Sequence, residues 1–257
     1  MIDLKKYYMK KEIDSYKNEM YYHNITEAMN QIIRVKSIKL FFGSVVKKGY
    51  NVLDLGCGSG SDIINFSETF GSYNLSFIGV DLGRDLVKKL NSLKLKNIKF
   101  VNGDIENLYL KQKFDIITEL EVAEHLEHFD DNLEVIKKHL KLTGYLIMSC
   151  PNKRYLLKDL YALLTKFKRS HIKTIAEHKH EQSQHFDEHI NVRSYPEFKR
   201  KLENHGFEIV DKRRFMIHFG AKYLEPFYAI VAFVDWLLPK KIMYLGSGYV
   251  VLVRLRG

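Results

Sequence analysis

Short apolar runs alternate with amphipathic stretches along the middle of the chain. Each run is long enough for a buried strand, and the runs cover residues 52–56, 77–81, 98–104, 114–118 and 145–150. Buried strands that alternate with helices are typical of a parallel sheet with helices on both faces. The helical stretches carry apolar stripes, one at Leu86, Leu90 and Leu93 and one at Phe129, Leu133, Ile136 and Leu140, the second after a predicted N-cap at Asp130.

This regular pattern is interrupted after Pro151 and then resumes. Residues 152–190 combine an apolar and basic stretch with a histidine-rich segment, and they predict an inserted lid. A capping box from Ser194 to Glu197 predicts a helix that ends at Gly206, and residues 207–210 and 249–255 predict two further strands. The sequence therefore predicts a Rossmann-like α/β fold, in which a seven-stranded, mostly parallel sheet has helices on both faces.

The N-terminal part of the chain has a different character. Residues 1–48 are rich in lysine and tyrosine, with helical spacing at Ala28, Ile32, Val35 and Phe42. We expect them to form a helical cap that precedes a single domain over residues 49–257.

Charge and cysteine content narrow the classes of protein only partly. The chain of 257 residues has 41 Lys and Arg against 31 Asp and Glu, a formal net charge of +10, which favours anionic partners without specifying one. Two cysteines are too few for a disulfide framework, and no apolar run reaches the roughly 18 residues of a spanning helix. We expect a cytoplasmic protein, soluble or at most peripheral to a membrane.

The most informative motif is the glycine-rich stretch from Asp54 to Gly60, which follows a predicted strand and opens a helix. Glycines in such a turn let the backbone approach a bound ligand. Asp81 ends the next strand, where a carboxylate can accept both hydroxyls of a ribose, and Asp104 follows the third strand. A dinucleotide would use a similar loop, but the carboxylate of Asp54 repels phosphate and suits a cationic ligand.

These motifs resemble those of the class I S-adenosylmethionine-dependent methyltransferases, in the order VLDLGCGSG, GVD, NGD and FDIITELEVAEHL over about residues 30–150. The resemblance implies S-adenosylmethionine as the cofactor. Gly56 and Gly58 would line its methionyl portion, Asp81 its ribose, and Asp104 with Ile105 its adenine. Asp54, Cys57, Gly60 and Leu82 would belong to the same site.

A closer resemblance is to the O-methyltransferases of ubiquinone biosynthesis, carried by the motif from Glu121 to His125. It places Leu120 beside the adenine, and it matches Arg34 to an arginine that would clamp the cofactor carboxylate. Arg34 could equally be a solvated charge on the N-terminal helix.

The residues after the fourth predicted strand are the candidates for chemistry. A hydroxyl acceptor must lose a proton, and His125, with Glu124 beside it, is the candidate base because histidine is the side-chain type that most often exchanges protons near neutral pH. His125 could instead serve only to cap the following segment. The cluster Glu121, Glu124 and His125 also resembles an E-x-x-E-H metal motif completed by His189, which would favour Mg²⁺. The alternative is an acidic turn that binds no ion.

Three functions remain open on the sequence. The first is methyl transfer to a hydroxyl oxygen of a small, hydrophobic acceptor. The second is 2′-O-methylation of RNA, although no separate RNA-binding module is visible and nucleic acid is not favoured. The third is an inert scaffold with this fold, and N-methylation is a further alternative. Apolar and aromatic side chains in 152–190 and 223–239 suggest weak contact with an anionic membrane surface or a homodimer interface.

Overall fold

The computed structural model describes residues 25–154, 191–215 and 237–257, with side chains from residue 32 onward in the first range. The helices of these ranges are α1 (Ile25–Val45), α2 (Ser61–Thr69), α3 (Arg84–Ser92), α4 (Phe129–His139) and α5 (Tyr195–Asn204). The strands are β1 (Asn51–Leu55), β2 (Ser76–Asp81), β3 (Ile98–Asn102), β4 (Phe114–Leu120), β5 (Leu140–Pro151), β6 (Phe207–Arg214) and β7 (Gly248–Leu255). Short 3₁₀ turns lie at Gly71–Tyr73 and Met243–Leu245.

The strands form one seven-stranded sheet in the order β3-β2-β1-β4-β5-β7-β6. The pairs from β3 to β5 are parallel, whereas β7 is antiparallel to both β5 and β6. The predicted Rossmann-like, mostly parallel sheet is therefore confirmed. The strand order reverses between β1 and β4, and open sheets of this kind bind ligands in the crevice at the carboxyl ends of such strands.

Alternating side chains of the strands divide the core between the two faces of the sheet. Leu53 and Leu55 of β1 pack with α4 and α5, while Val52 packs with α1, α2 and α3. Helix α4 buries the apolar stripe that its sequence predicts, since Phe129, Leu133 and Ile136 are at most 2% exposed. The result is a three-layer arrangement in which the helices fix the carboxyl edge of the sheet.

Several boundaries differ from those predicted by sequence. The N-cap of α4 is His128, not Asp130, because the carboxylate of Glu106 accepts the backbone N–H of His128 at 2.6 Å and replaces a local cap. Helix α5 has the predicted capping box at Ser194 but ends at Asn204, before the left-handed Gly206. β6 continues to Arg214 past a bulge at 209–211, and β5 begins directly after α4.

The described part of the N-terminal region packs on the sheet instead of standing apart from it. Phe41 and Phe42 of α1 are buried with Ile147 of β5 and Val250 of β7. The stripe predicted for this helix is only partly right, since Phe42 is buried but Ile32 is 47% exposed. The proposed domain boundary at residue 48 stays a prediction.

Besides residues 1–24, two long internal segments lie outside the described residues, and these are 155–190 and 216–236. They include most of the predicted lid and nearly all of the apolar stretch 223–239. The described residues on either side of each segment are held together: Lys153 donates its backbone N–H to Arg193 O at 3.1 Å, and Arg214 donates to Lys240 O at 2.9 Å. The described residues that flank each segment therefore lie next to each other.

Candidate active site

The glycine-rich loop crosses the carboxyl ends of β1 and β2. The backbone N–H groups of Gly56 and Cys57 both donate to Val80 O, at 2.9 and 3.0 Å, which ties the loop to the end of β2. Gly58 has a φ of +48°, and among the described residues the position of a Cβ there would meet no atom within 4 Å. This open space above the loop is where a ligand can approach the backbone.

Asp81 organises the loop as well as offering a carboxylate at its edge. Its Oδ2 accepts the N–H of Gly58 at 2.9 Å and its Oδ1 accepts the N–H of Gly83 at 2.8 Å. Each carboxylate oxygen retains a lone pair, and the side chain is half-exposed at the predicted strand end. The sequence predicted the carboxylate but not its role in holding the loop.

Asp54 lies beneath the loop. It is 3% exposed, and its Oδ1 accepts a hydrogen bond from Thr118 Oγ1 at 2.5 Å. Burial raises the pKa of Asp54 to about 8, against the lowering effect of that hydrogen bond. Asp54 is therefore mainly neutral at pH 7, and it fixes β1 to β4 in addition to any electrostatic effect on a ligand.

The other predicted cofactor residues lie along the same edge. Asn102 donates its amide to Asp81 O at 3.0 Å and Leu82 O at 2.8 Å, so the ends of β2 and β3 are joined. Asp104 is exposed, and its Oδ1 accepts the N–H of Glu106 at 2.9 Å. Leu82 is 74% exposed, whereas the remaining predicted side chains, Cys57, Ile105 and Leu120, are buried or half-buried.

A tight acidic turn, residues 121–126, follows β4 and contacts the glycine-rich loop. A Cβ on Gly56 would lie 2.6 Å from Val122 Cγ2, so only glycine permits this approach. Glu121 has a φ of +56°, a conformation that is uncommon for residues other than glycine. Its backbone N–H donates to both Ser149 O and Ser149 Oγ, at 3.0 and 3.1 Å, which holds this strained residue at the end of β5.

The acidic turn combines buried carboxyl groups with an accessible imidazole. Glu121 Oε1 and Glu124 Oε2 are buried and have no hydrogen-bond partner among the described residues. Burial, reinforced by the neighbouring Glu121, raises the pKa of Glu124 to about 8, and burial also raises the pKa of Glu121. His125 Nε2 lies 3.9 Å from Glu124 Oε1, and the His125 side chain is 39% exposed.

Arg34 reaches this cluster from α1. It is 7% exposed, and its guanidinium lowers the pKa of both Glu121 and Glu124 against the effect of burial. The structure therefore brings the predicted Arg34 together with the acidic turn. Its predicted contact with a cofactor carboxylate stays a prediction.

Asn191 and Arg193, which belong to none of the sequence motifs, donate hydrogen bonds to backbone carbonyls of the acidic turn. Asn191 donates its N–H to Glu124 O at 2.9 Å and its amide to Leu126 O at 2.7 Å. The guanidinium of Arg193 donates to Ala123 O at 2.9 Å and stacks over Phe129 at 4.4 Å from the ring centroid. Both residues come directly after the predicted lid 152–190 in the sequence, and this position is the signal from which a role at the site could have been predicted.

The donor set of the predicted metal site is only partly described. Glu121, Glu124 and His125 are close in space, while His189 lies outside the described residues. Across residues 25–154, 191–215 and 237–257, no group of three or more His, Cys, Asp or Glu side chains is arranged to hold a metal ion. The metal site stays a prediction.

Comparison with known proteins agrees with this geometry. Residues 46–206, more than half of the chain, match the family described as a methyltransferase domain. The chain therefore belongs to the methyltransferase-domain family, and its fold is that of the S-adenosylmethionine-dependent methyltransferases.

Two curated relatives and one solved structure illustrate the likeness. The (S)-coclaurine N-methyltransferase of Papaver somniferum is 32% identical over 107 residues, 40% of this chain and 30% of that protein. The mitochondrial ubiquinone biosynthesis O-methyltransferase of Schizosaccharomyces pombe is 29% identical over 118 residues, 44% of this chain and 42% of that protein. The match thus spans less than half the length of either relative.

The solved structure shares the fold over nearly its full length. An S-adenosylmethionine-dependent methyltransferase from Clostridium acetobutylicum has a TM-score of 0.55 and 16% identity, with 97% of this chain and 99% of that chain covered. At this identity the likeness concerns the fold alone.

Proposed function

We propose that this chain transfers a methyl group from S-adenosylmethionine to a hydroxyl oxygen of a small, partly apolar molecule. The observation that carries the proposal is the position of His125, an accessible imidazole 3.9 Å from Glu124, on the turn that packs against the glycine-rich loop. A hydroxyl nucleophile needs a base at such a place, because it must lose its proton as the new bond forms.

The residues of the site fit the cofactor. The open space over Gly58 admits a ligand next to the backbone, and the half-exposed carboxylate of Asp81 offers acceptors for ribose hydroxyls. The half-exposed carboxylate of Asp81, which accepts the N–H of Gly58, suits the positive charges of the sulfonium and ammonium groups, whereas burial raises the pKa of Glu121 and Glu124 and so disfavours their charged forms.

The chemistry is a single displacement when the cofactor is bound. The acceptor oxygen forms a bond to the methyl carbon, the carbon–sulfur bond breaks, and its electron pair stays on a neutral thioether. His125 takes the hydroxyl proton, and Glu124 beside it favours the resulting imidazolium once Glu124 is itself ionised. The loop and the turn position the reactants, which supplies much of the rate enhancement of a bimolecular step.

The test compares acceptors that present different nucleophilic groups. The purified protein is incubated with S-adenosylmethionine labelled in the methyl group and with a 4-alkylcatechol, its 4-alkylaniline counterpart, or a short RNA. We expect label in the catechol, and its absence there together with label in the aniline or the RNA would replace the proposal with N-methylation or RNA methylation. The (S)-coclaurine N-methyltransferase relative makes N-methylation the second candidate.

A role for Mg²⁺ is a separate part of the proposal. Glu121, Glu124 and His125 would supply oxygen and nitrogen donors, and a bound cation would lower the pKa of the acceptor hydroxyl. Turnover is measured with chelator and with added Mg²⁺. Activity that survives chelation would remove the metal from the mechanism and leave His125 as the base.

Contacts with other molecules are also proposals. In the described residues no helix is long and apolar enough to cross a membrane. We propose weak docking on anionic membrane, with a homodimer as the alternative and a cytoplasmic location that accords with the two free, buried cysteines. Co-sedimentation with anionic vesicles at low and high salt, and the oligomeric state of the Trp236→Asp variant, separate these outcomes.

A further inference from the structure

A cleft of about 600 Å³ opens beside β6, apart from the glycine-rich loop. It lies between the start of α5, the strand β6 and the 3₁₀ turn Met243–Leu245, and this volume is typical of small-molecule sites. Asn152 joins its walls: its amide donates to Met243 O and Gly246 O at 3.1 and 3.2 Å, and its Oδ1 accepts the N–H of Tyr195 at 3.3 Å. The cleft is therefore held open by hydrogen bonds and does not depend on a ligand for its shape.

The lining of the cleft combines apolar surface with positive charge. Tyr195, Met243 and Ile242 supply the apolar part, and Ile242 is 46% exposed. Lys212 Nζ lies 4.9 Å from the centroid of the Tyr195 ring, so the ammonium is held at the wall by a cation–π contact. Arg154 adds a second cation at the rim.

Two acidic residues close to the cleft in sequence, Glu197 and Asp211, have side-chain partners other than the ammonium of Lys212. Glu197 Oε2 accepts both the N–H and the hydroxyl of Ser194 in the capping box of α5. Asp211, next to Lys212 in sequence, pairs through Oδ1 with Lys241 at 3.0 Å. The described residues that line the cleft include no carboxylate. An anionic group is therefore the complement of its charge.

The cleft adjoins the acidic turn. Asn152 and Ser194, which line it, neighbour Lys153 and Arg193, whose backbones are hydrogen-bonded at 3.1 Å. Arg193 in turn donates to Ala123 O of the acidic turn. Arg193 thus links the wall of the cleft to the acidic turn, and an acceptor whose anionic end lies in the cleft must extend past Arg193 to bring its hydroxyl to His125.

We propose that this cleft binds an amphipathic anion, a molecule with an apolar body and a carboxylate, phosphate or sulfonate group, and that Lys212 is the residue that selects the anion. Resting on the proposed function, we infer that this molecule is the methyl acceptor. The acceptor would then be an anionic, partly apolar compound that enters as a free molecule and not as a lipid within a bilayer.

The experiment uses two fluorescent probes with nearly the same aromatic body. 1-Anilinonaphthalene-8-sulfonate carries an anionic group, whereas N-phenyl-1-naphthylamine does not. Both are titrated against the wild-type chain, Lys212→Gln, and the control Lys199→Gln, which makes the same charge change at an exposed lysine of α5 paired with Glu203. A further variant, Ile242→Asp, alters the apolar wall at an exposed position.

For Lys212→Gln we expect the affinity for the sulfonate to fall roughly tenfold, the value of one charge-assisted contact, with the affinity for the neutral probe unchanged. Lys199→Gln should change neither affinity, and Ile242→Asp should weaken both. Sulfonate binding that is insensitive to Lys212→Gln, or that Ile242→Asp leaves intact, would overturn the proposal.

Two further measurements complete the test. One distinguishes a free anion from a lipid headgroup, and the other distinguishes failure of the cleft proposal from failure of the proposed function. Monomeric decanoate should displace the sulfonate probe, and displacement only by anionic phospholipid vesicles would instead make the site a lipid-headgroup site. Affinity for S-adenosylmethionine, measured by calorimetry, should be the same in every variant, since none of the changes lies at the glycine-rich loop. Failure of hydroxyl methylation with intact, Lys212-dependent sulfonate binding would refute only the proposed function.

Discussion

Replacing Glu119 with glutamine should stabilise the protein at pH 8 and have little effect near pH 5. Glu119 lies in β4, is fully buried, and neither of its carboxylate oxygens has a hydrogen-bond partner among the described residues. Burial raises the pKa of Glu119 from 4.5 to about 8, although Asn132 and Arg193 lower it in part. The neutral form is therefore the one that suits the folded chain, and glutamine reproduces it.

The magnitude follows from the linkage between protonation and folding. Because the pKa is higher in the folded state, the stabilisation from the proton is fully present below pH 4.5 and is lost as the pH rises through about 8. Each pKa unit corresponds to about 1.4 kcal/mol, so the full shift corresponds to at most about 4–5 kcal/mol. We expect Glu119→Gln to raise the free energy of unfolding at pH 8 by at least about 2 kcal/mol relative to the wild type.

The free energy of unfolding is measured by urea denaturation at pH 5.5 and pH 8. Asp54 and Glu124, whose pKa values are also raised to about 8, should make every variant less stable at the higher pH. The fall should be shallower in Glu119→Gln than in the wild type. The control Glu127→Gln removes an exposed carboxylate from the same region. A Glu119→Gln effect that is the same at both pH values, or destabilisation at pH 8, would show that Glu119 is charged in the fold.

Three further predictions concern the site. Asp81→Ala should weaken binding of S-adenosylmethionine by about 1.5–3 kcal/mol, because it removes charge-assisted hydrogen bonds and the support of the loop; undiminished affinity in calorimetry would contradict the assignment. Gly58→Ala should weaken that binding while the chain stays folded by circular dichroism, since a Cβ would enter the space over the loop and alanine disfavours the φ of +48° that Gly58 adopts. His125→Ala should collapse turnover and leave cofactor affinity nearly unchanged, and a fully active variant would exclude His125 both as base and as metal ligand.

We propose that cofactor binding, proton transfer and acceptor recognition lie at different strands along the carboxyl edge of the sheet. Strands β1 and β2 carry the glycine-rich loop, β4 carries the turn with His125, and β5 and β6 border the cleft with Lys212. Variants at Lys212 should therefore affect the recognition of the acceptor without changing the affinity for the cofactor. In kinetic terms, once an acceptor is identified, Lys212→Gln should raise KM more than it lowers kcat.

The sequence by itself determined the features that depend on local pattern. Apolar runs located the seven strands of the described residues, and the glycines with Asp81 located the edge of the sheet at which we propose that the cofactor binds, because strand ends and tight turns are set by neighbouring residues. The capping box at Ser194 was likewise readable, since all of its hydrogen bonds lie within four residues.

Only the tertiary structure decided what depends on contacts between distant residues. The N-cap of α4 could not be read locally, because its partner Glu106 is 22 residues away. The neutral state of Glu119 results from burial among side chains of β4, α4 and the segment before α5, which no single motif encodes. Lys212 lies over the Tyr195 ring because α5 packs on β6. The sequence around Lys212 alone does not predict this contact, since Tyr195 belongs to a different element. Burial and long-range packing thus set the charge states and the shape of the site, whereas the local sequence set its place in the fold.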